Sequence, residues 1–242
     1  MAIPAYSTKG TVGGVNGDAC AGTWGCSPQC PSTVAAGDIL IAVIYATCFA
    51  GTVDSASAAS GWTALKSVGI GGQRGVATFY KVADGTEDST TPTFTGGFSA
   101  SGISGNGNIY LYTGSGTGGV VPASGTTNSG SSTSATMSNV TTTATNSLAV
   151  CIVVTAASIA DATGEAGGDW TKAATTDNIS SVKVANQTAG MASVGSITGG
   201  TATLSPTSNW WTLSFEIKEA VAAGIPNKAV GGNFAVKRAN FF

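Results

Sequence analysis

The chain has 242 residues, 42% of them hydrophobic and only 9% charged, with 35 glycines, no histidine and a formal net charge of -2. Apolar content so far above charge excludes a disordered chain and predicts a buried core, and ten scattered Lys and Arg residues exclude the cation cluster that nucleic-acid binding needs. Without histidine, a Ser-His-Asp triad, a Cys-His pair and a His-containing zinc site are all excluded.

The opening MAIPAYSTKG has neither the basic nor the apolar region of a secretory leader, so none is expected. Residues 3–12, which include Pro4, predict at best an edge strand or an N-terminal arm. The segment Gly13 to Pro31 holds Cys20, Cys26 and Cys30 around Trp24 and reads as an ordered loop, so residues 1–36 together are expected to be arm and loop. Next comes GDILIAVIYAT, Gly37 to Thr47, around which the chain is organised. A Gly-Asp turn introduces a short Ile- and Val-rich run, the pattern of a strand buried on both faces and far too short to span a bilayer. No membrane-crossing helix is predicted anywhere.

From Gly75 to Val82 the alternation predicts a half-buried antiparallel strand, with Val76, Thr78 and Tyr80 on one face and Ala77, Phe79 and Lys81 on the other. The acidic turn ADGTED leads to PTFT and then to NIYLYT at 108–113. Gly114 to Asn146 carries few large side chains and reads as a linker, the alternative being a flat edge strand near Ala135 to Val140.

Beyond it the order repeats. NSLAVCIVVTA copies the first buried strand, and Leu148 lies 148 minus 39, or 109, positions after Ile39. Trp170 lies 170 minus 62, or 108, positions after Trp62. Trp210 to Lys218 alternates, predicting Trp211, Leu213, Phe215 and Ile217 inside and Trp210, Thr212, Ser214, Glu216 and Lys218 outside. Burying the four inner residues is worth about 6 to 12 kcal/mol of gross transfer energy. The expected fold is all-β: a two-sheet, jelly-roll-like β-sandwich over residues 37–220, built from two similar halves, 37–113 and 146–220. Residues 221–242 form an expected C-terminal extended arm. Its Lys228, Phe234, Lys237, Arg238, Phe241 and Phe242 suit insertion into a neighbouring subunit better than exposure to water.

Candidate chemistry is sparse. Asp84, Glu87 and Asp88 share one turn and are weak Ca²⁺ candidates against a solvated-turn alternative, because the loop lacks the ligand spacing of an EF-hand. Cys20, Cys26, Cys30 and Cys48 suggest one or two disulfides, with a four-thiolate zinc site or free thiols as alternatives; C-x5-C-x3-C lacks the paired knuckles of a zinc site. Cys151 reads as a small core residue. Trp62 and Trp170 occupy equivalent turns and suit packing, which leaves Trp24 and Trp210 as possible surface contacts. No catalytic residue, metal or cofactor is expected.

The run VAAGDILIAVIYA (34–46), SGWTAL (60–65), ATFYKVADGTE (77–87) and a last strand ending FEIKEA (215–220) resembles a Gly/Ser/Thr-rich β-sandwich domain common in structural proteins of tailed bacteriophages. The resemblance covers roughly residues 30–220 and rests on strand order and a GD…GW…Y-[RK]-V pattern. It implies a virion component on the outside of a head or tail. The expectation is a homo-oligomer, a trimer, that decorates or cements a phage capsid at the virion surface. Its partners would be copies of itself and the major capsid protein or other virion proteins, with no nucleic acid and no membrane. The alternative is a carbohydrate-binding surface or tail-fibre module.

Overall fold

A computed structural model describes residues 3–11, 13–17, 22–48, 51–69, 71–99, 102–113, 120–121, 125–155, 171–172, 177–179 and 182–219. All regular structure among them is β-strand, and no helix is long and apolar enough to cross a membrane. In the first part of the chain the strands are β1 (Ala5–Lys9), β2 (Gly13–Gly17), β3 (Thr23–Cys26), β4 (Ile39–Cys48), β5 (Thr63–Val68), β6 (Arg74–Val82), β7 (Phe94–Gly97) and β8 (Ile103–Thr113). The later strands are β9 (Val120–Val121), β10 (Thr127–Thr136), β11 (Val140–Thr141), β12 (Ser147–Thr155), β13 (Thr171–Lys172), β14 (Asp177–Ile179), β15 (Val182–Met191), β16 (Ser196–Ile197) and β17 (Thr201–Ile217).

The Gly-Asp turn starts β4 as its chemistry requires. Gly37 takes a φ of 90°, which costs a glycine nothing, and Asp38 Oδ2 accepts the Ala35 amide at 2.9 Å. Ahead of β12 the same left-handed position is held by Asn146, with φ 52°. Asparagine is one of the few side chains that tolerate it.

Two large sheets result. The first runs β5-β6-β4-β8-β2-β3-β7, with β1 also on β8; the second runs β10-β17-β12-β15-β13, with β9 on β17 and β14 on β15. A small β11-β16 pair lies apart. Each large sheet comes from one continuous stretch of chain. The two pack face to face around a middle cluster in which Ile39, Ile41, Val43 and Tyr45 of β4 meet Leu148, Val150, Ile152 and Val154 of β12 and the inner face of β17.

Each sheet also curls over its own outer face. In the first, β3 and β7 carry Trp24, Cys26 and Phe94 against Leu40, Ala42 and Ile44, the reverse face of β4. In the second, the β10–β17 pairing slips between Ser132 and Ser134, opposite a stretch of β17 that contains Pro206, which has no amide to give to a ladder. The pair bends there. Thr212, paired with Asn128, reaches the Thr136 carbonyl further along the same strand at 2.8 Å. The fold closes an outer cluster of Ala135, Met137, Val140, Ile197, Ala202 and Leu204 over Ala149, Cys151 and Val153. Three apolar layers therefore alternate with two sheets, which is why β4 and β12 are buried on both faces as their composition predicts.

The layering overturns several expectations. Of the two readings of residues 3–12 the strand holds and the arm does not, since β1 pairs with β8, and Gly13–Gly17, expected in a loop, is a strand between β8 and β3. Residues 127–136 are not a linker but the strand paired with β17. Val76 through Phe79 are buried on both faces of β6, and Trp210, Thr212, Ser214 and Glu216, expected outside, are buried beneath the outer cluster. Period-two alternation shows which residues share a face; a second layer then covered the face that composition assigned to water. The predicted arm, residues 221–242, lies outside the described residues.

Candidate functional site

The acidic turn after β6 is tied to itself. Glu87, almost wholly buried, accepts the Asp84 amide (3.1 Å), the Gly85 amide (3.0 Å) and the Thr86 amide (3.1 Å), and pairs with Lys81 Nζ at 2.6 Å. Asp84 accepts the Thr86 amide and hydroxyl, while Asp88 Oδ1 accepts the Val34 amide at 2.6 Å and fastens this turn to the segment before β4. Burial pushes the Glu87 carboxyl up, but the Lys81 ammonium and the turn amides outweigh it and hold the group below its usual range. Asp84 is held low by Thr86, and Glu87 raises Lys81.

These bonds correct the Ca²⁺ expectation. Asp84 and Glu87 share the Thr86 amide and the Lys81 ammonium, Asp88 is taken up by the Val34 amide, and among the described residues no three acids, cysteines or histidines gather to hold a metal ion.

The cysteines likewise do not converge. Cys26, Cys30 and Cys48 are free and buried, so no disulfide joins any two of them, and Cys20 lies outside the described residues. The Cys26 thiol donates to the Gly13 carbonyl at 3.4 Å and that of Cys48 to the Gln73 carbonyl at 3.7 Å, at separate points of the fold. Burial pushes the thiols of Cys26 and Cys151 up to about 12. They are packing residues, as the sequence predicts for Cys151.

Both tryptophans expected at the surface are buried. Trp210 is 7% exposed and donates Nε1–H to Ser132 Oγ at 3.0 Å, inside the outer cluster of the second sheet. Trp24 is 3% exposed and donates to the Gly97 carbonyl at 3.2 Å. Its indole lies so close over Gly96 that a Cβ there would come within 2.3 Å of Trp24 Cε2. Neither ring offers a free face for stacking. Trp62 packs edge-on against Phe94 with ring centroids 5.2 Å apart; Trp170 lies outside the described residues.

Beside Trp24 the surface opens into a groove of about 640 Å³. Gly25, Gly96 and Gly97 form its floor, and Thr23, Ser55, Ser57 and Thr95 supply hydroxyls along its walls. The loop that carries Ser55 and Ser57 is stitched to β7: the Ser57 amide bonds the Thr95 carbonyl at 2.7 Å and Ser55 Oγ accepts the Gly97 amide at 3.1 Å. A second groove of about 430 Å³ continues from Ser55 along Leu65, Lys66, Thr78 and Phe79. Thr78 Oγ1 fills the bulge between Ala64 and Lys66 by accepting the Lys66 amide and donating to its carbonyl, both at 3.1 Å.

No family model, curated protein or solved structure matches the chain.

The first groove is lined by hydroxyls, backbone and one indole edge, with no charged side chain among the described residues. Such a lining can hydrogen-bond a neutral polar group or an extended backbone. It holds no acid–base pair to move a proton. The groove has no signature in the chain, because TVDSAS at 52–57 is a run of small side chains that takes its shape only from contact with β7.

Proposed function

We propose that this protein is a structural component of a tailed-phage virion, a capsid decoration protein that bridges and stabilises shell subunits. One observation carries the structural part of the reading: five carboxylates are spent on positioning backbone. Asp38, Asp84, Glu87 and Asp88 do so around β4 and β6, and fully buried Glu216 does so ahead of β12. The residues of the GD…GW…Y-[RK]-V pattern have the same character. Gly37 and Asp38 make a turn, Trp62 packs on Phe94, and Lys81 pins Glu87. A pattern of scaffold positions fits a protein that works by holding shape, and its resemblance to phage structural domains supports the virion assignment.

The finer architecture belongs to the same proposal. We read the sandwich as two similar halves, residues 3–113 and 120–217, each forming one curled sheet. Jelly-roll connections would thread strands between the two sheets; the continuous origin of each sheet favours a face-to-face pair of like units. Assembly into a trimer through the 221–242 segment, with its Lys228, Lys237, Arg238 and terminal phenylalanines, completes the reading.

The test is the solution mass of the full chain and of a chain ending at Ala220, each then mixed with undecorated capsid shells. A trimer that binds shells, and a truncated chain that does neither, supports the proposal. Two monomers that ignore shells overturn it. The neutral groove at Thr23, Ser55 and Thr95 supports the second reading, a carbohydrate-binding surface or tail-fibre module; glycan binding by the isolated chain, without affinity for shells, would establish it.

A further inference from the structure

Seven strands of each half correspond in their pairings, while β2, β9 and β14 have no counterpart and β11–β16 stands apart from its sheet as β3–β7 does not. In the first half β1 pairs β8, β3 pairs β7, β4 lies between β6 and β8, and β5 pairs β6. In the second, β10 pairs β17, β11 pairs β16, β12 lies between β15 and β17, and β13 pairs β15. Counting only these seven strands of each half, the first closes against the last and the second pairs with the sixth. The left-handed residue ahead of the central strand is Gly37 in one and Asn146 in the other, 146 minus 37, or 109, positions apart. The residue after the neighbouring strand repeats at the same interval: the Gly37 amide bonds the Ala83 carbonyl and the Asn146 amide bonds that of Ala192, 192 minus 83, again 109.

One side of the stack runs as a two-fold axis would place it. The edge strand β5 lies against β10 and β17, which stand at the opposite end of their own sheet's order, while β4 and β12 meet at the centre. Positions 109 apart fall in this one cluster, as aliphatic pairs at Ile39 and Leu148, Ile41 and Val150, and Val43 and Ile152, and as Tyr45 and Val154 further along the strands.

We infer that the inner face of each half is a self-complementary surface whose fitting partner is a second copy of the same unit, and that the chain is two such units in covalent tandem, a fused pseudo-dimer. This rests on the two-halves reading above but not on the virion assignment. Because each half keeps its own outer layer, the face it shares is the one an isologous dimer would bury.

The experiment starts from the full chain with a protease site placed in the Gly/Ser/Thr segment between Gly114 and Gly119. Cleaved after folding, the protein stays together as one particle with both fragments. Unfolded in denaturant and refolded by dilution, the cut chain gives homodimers of at least one fragment beside the mixed pair, in amounts within about tenfold of it (about 1.4 kcal/mol) as read by native mass spectrometry. Fragments that part on cleavage, or refold only as the mixed pair, overturn the inference. A second chain, in which residues 3–113 are replaced by another copy of 120–219, covers failure of the fragments to refold. It folds as a monomer with a cooperative unfolding transition if the inference holds, and its aggregation or lack of a transition overturns it. Neither readout involves shells, so failure here is separable from failure of the decoration reading.

Discussion

Replacing Glu216 by alanine removes the group that holds the turn ahead of β12. Its carboxylate is fully buried and accepts the Thr143 amide at 2.9 and 3.0 Å, the Thr143 hydroxyl at 2.9 Å, the Ala144 amide at 3.2 Å and the Ser147 hydroxyl at 2.6 Å. The two hydroxyls can turn to other acceptors; the two amides cannot. Taking the acceptor from two amides costs about 1 to 3 kcal/mol each when they are dry, less here because Thr143 is exposed and Ala144 half-buried, and the desolvation recovered by deleting the charge offsets a further part. The expected loss is about 2 to 4 kcal/mol. For a chain of this size that lowers Tm by about 4 to 16 °C. Glu216→Gln keeps one acceptor oxygen but turns an amine toward backbone donors, and it should lose about 1 to 3 kcal/mol. The assay is urea and thermal unfolding of the full chain followed by both far- and near-UV circular dichroism, with exposed Asp54→Asn as a control expected within about 0.5 kcal/mol. A Glu216→Gln protein as stable as the parent would falsify the role given to this carboxylate.

The Lys81–Glu87 pair gives a pH dependence. Since Glu87 is held below its ordinary value, its contribution is complete above about pH 4.5 and is lost as pH falls through the lower folded value; Glu87→Gln should flatten the acid side of the stability profile, and an unchanged profile counts against the pair. Cys26 and Cys151, with thiols pushed up to about 12, should resist maleimide at pH 8 in the native chain and react in denaturant. Rapid native labelling at either site, located by mass spectrometry, contradicts their burial. Trp210→Ala should cost about 3 to 5 kcal/mol by opening the outer cluster of the second sheet, whereas a side chain in water would cost almost nothing; denaturant midpoints decide between the two.

Much of the fold was legible in the chain. Gly37–Asp38 and Asn146–Ser147 mark the same turn, and the Ile- and Val-rich runs behind them are central strands because nothing in them suits a water-facing side. Alternation at 211–217 sorted the side chains of β17 into two faces correctly. What alternation cannot show is whether another layer covers the second face. Glu216 and Trp210 were therefore expected in water, although both are buried.

Local composition determined the class of structure: strands and turns, an apolar core, and a chain without the histidine chemistry that hydrolases commonly use. Tertiary contact alone decided that Thr127–Thr136 is a strand rather than a linker, because hydroxyl and glycine residues join a ladder only when a partner such as β17 satisfies their amides. It also decided that Asp84 and Glu87 bond the amides of their own turn while Asp88 reaches back to Val34, and that a groove lies between Ser55 and Thr95. Short-range patterns in the chain specify what each residue prefers to touch. Which residue it touches depends on how far the sheets curl, and the curl is set by contacts between strands many tens of residues apart.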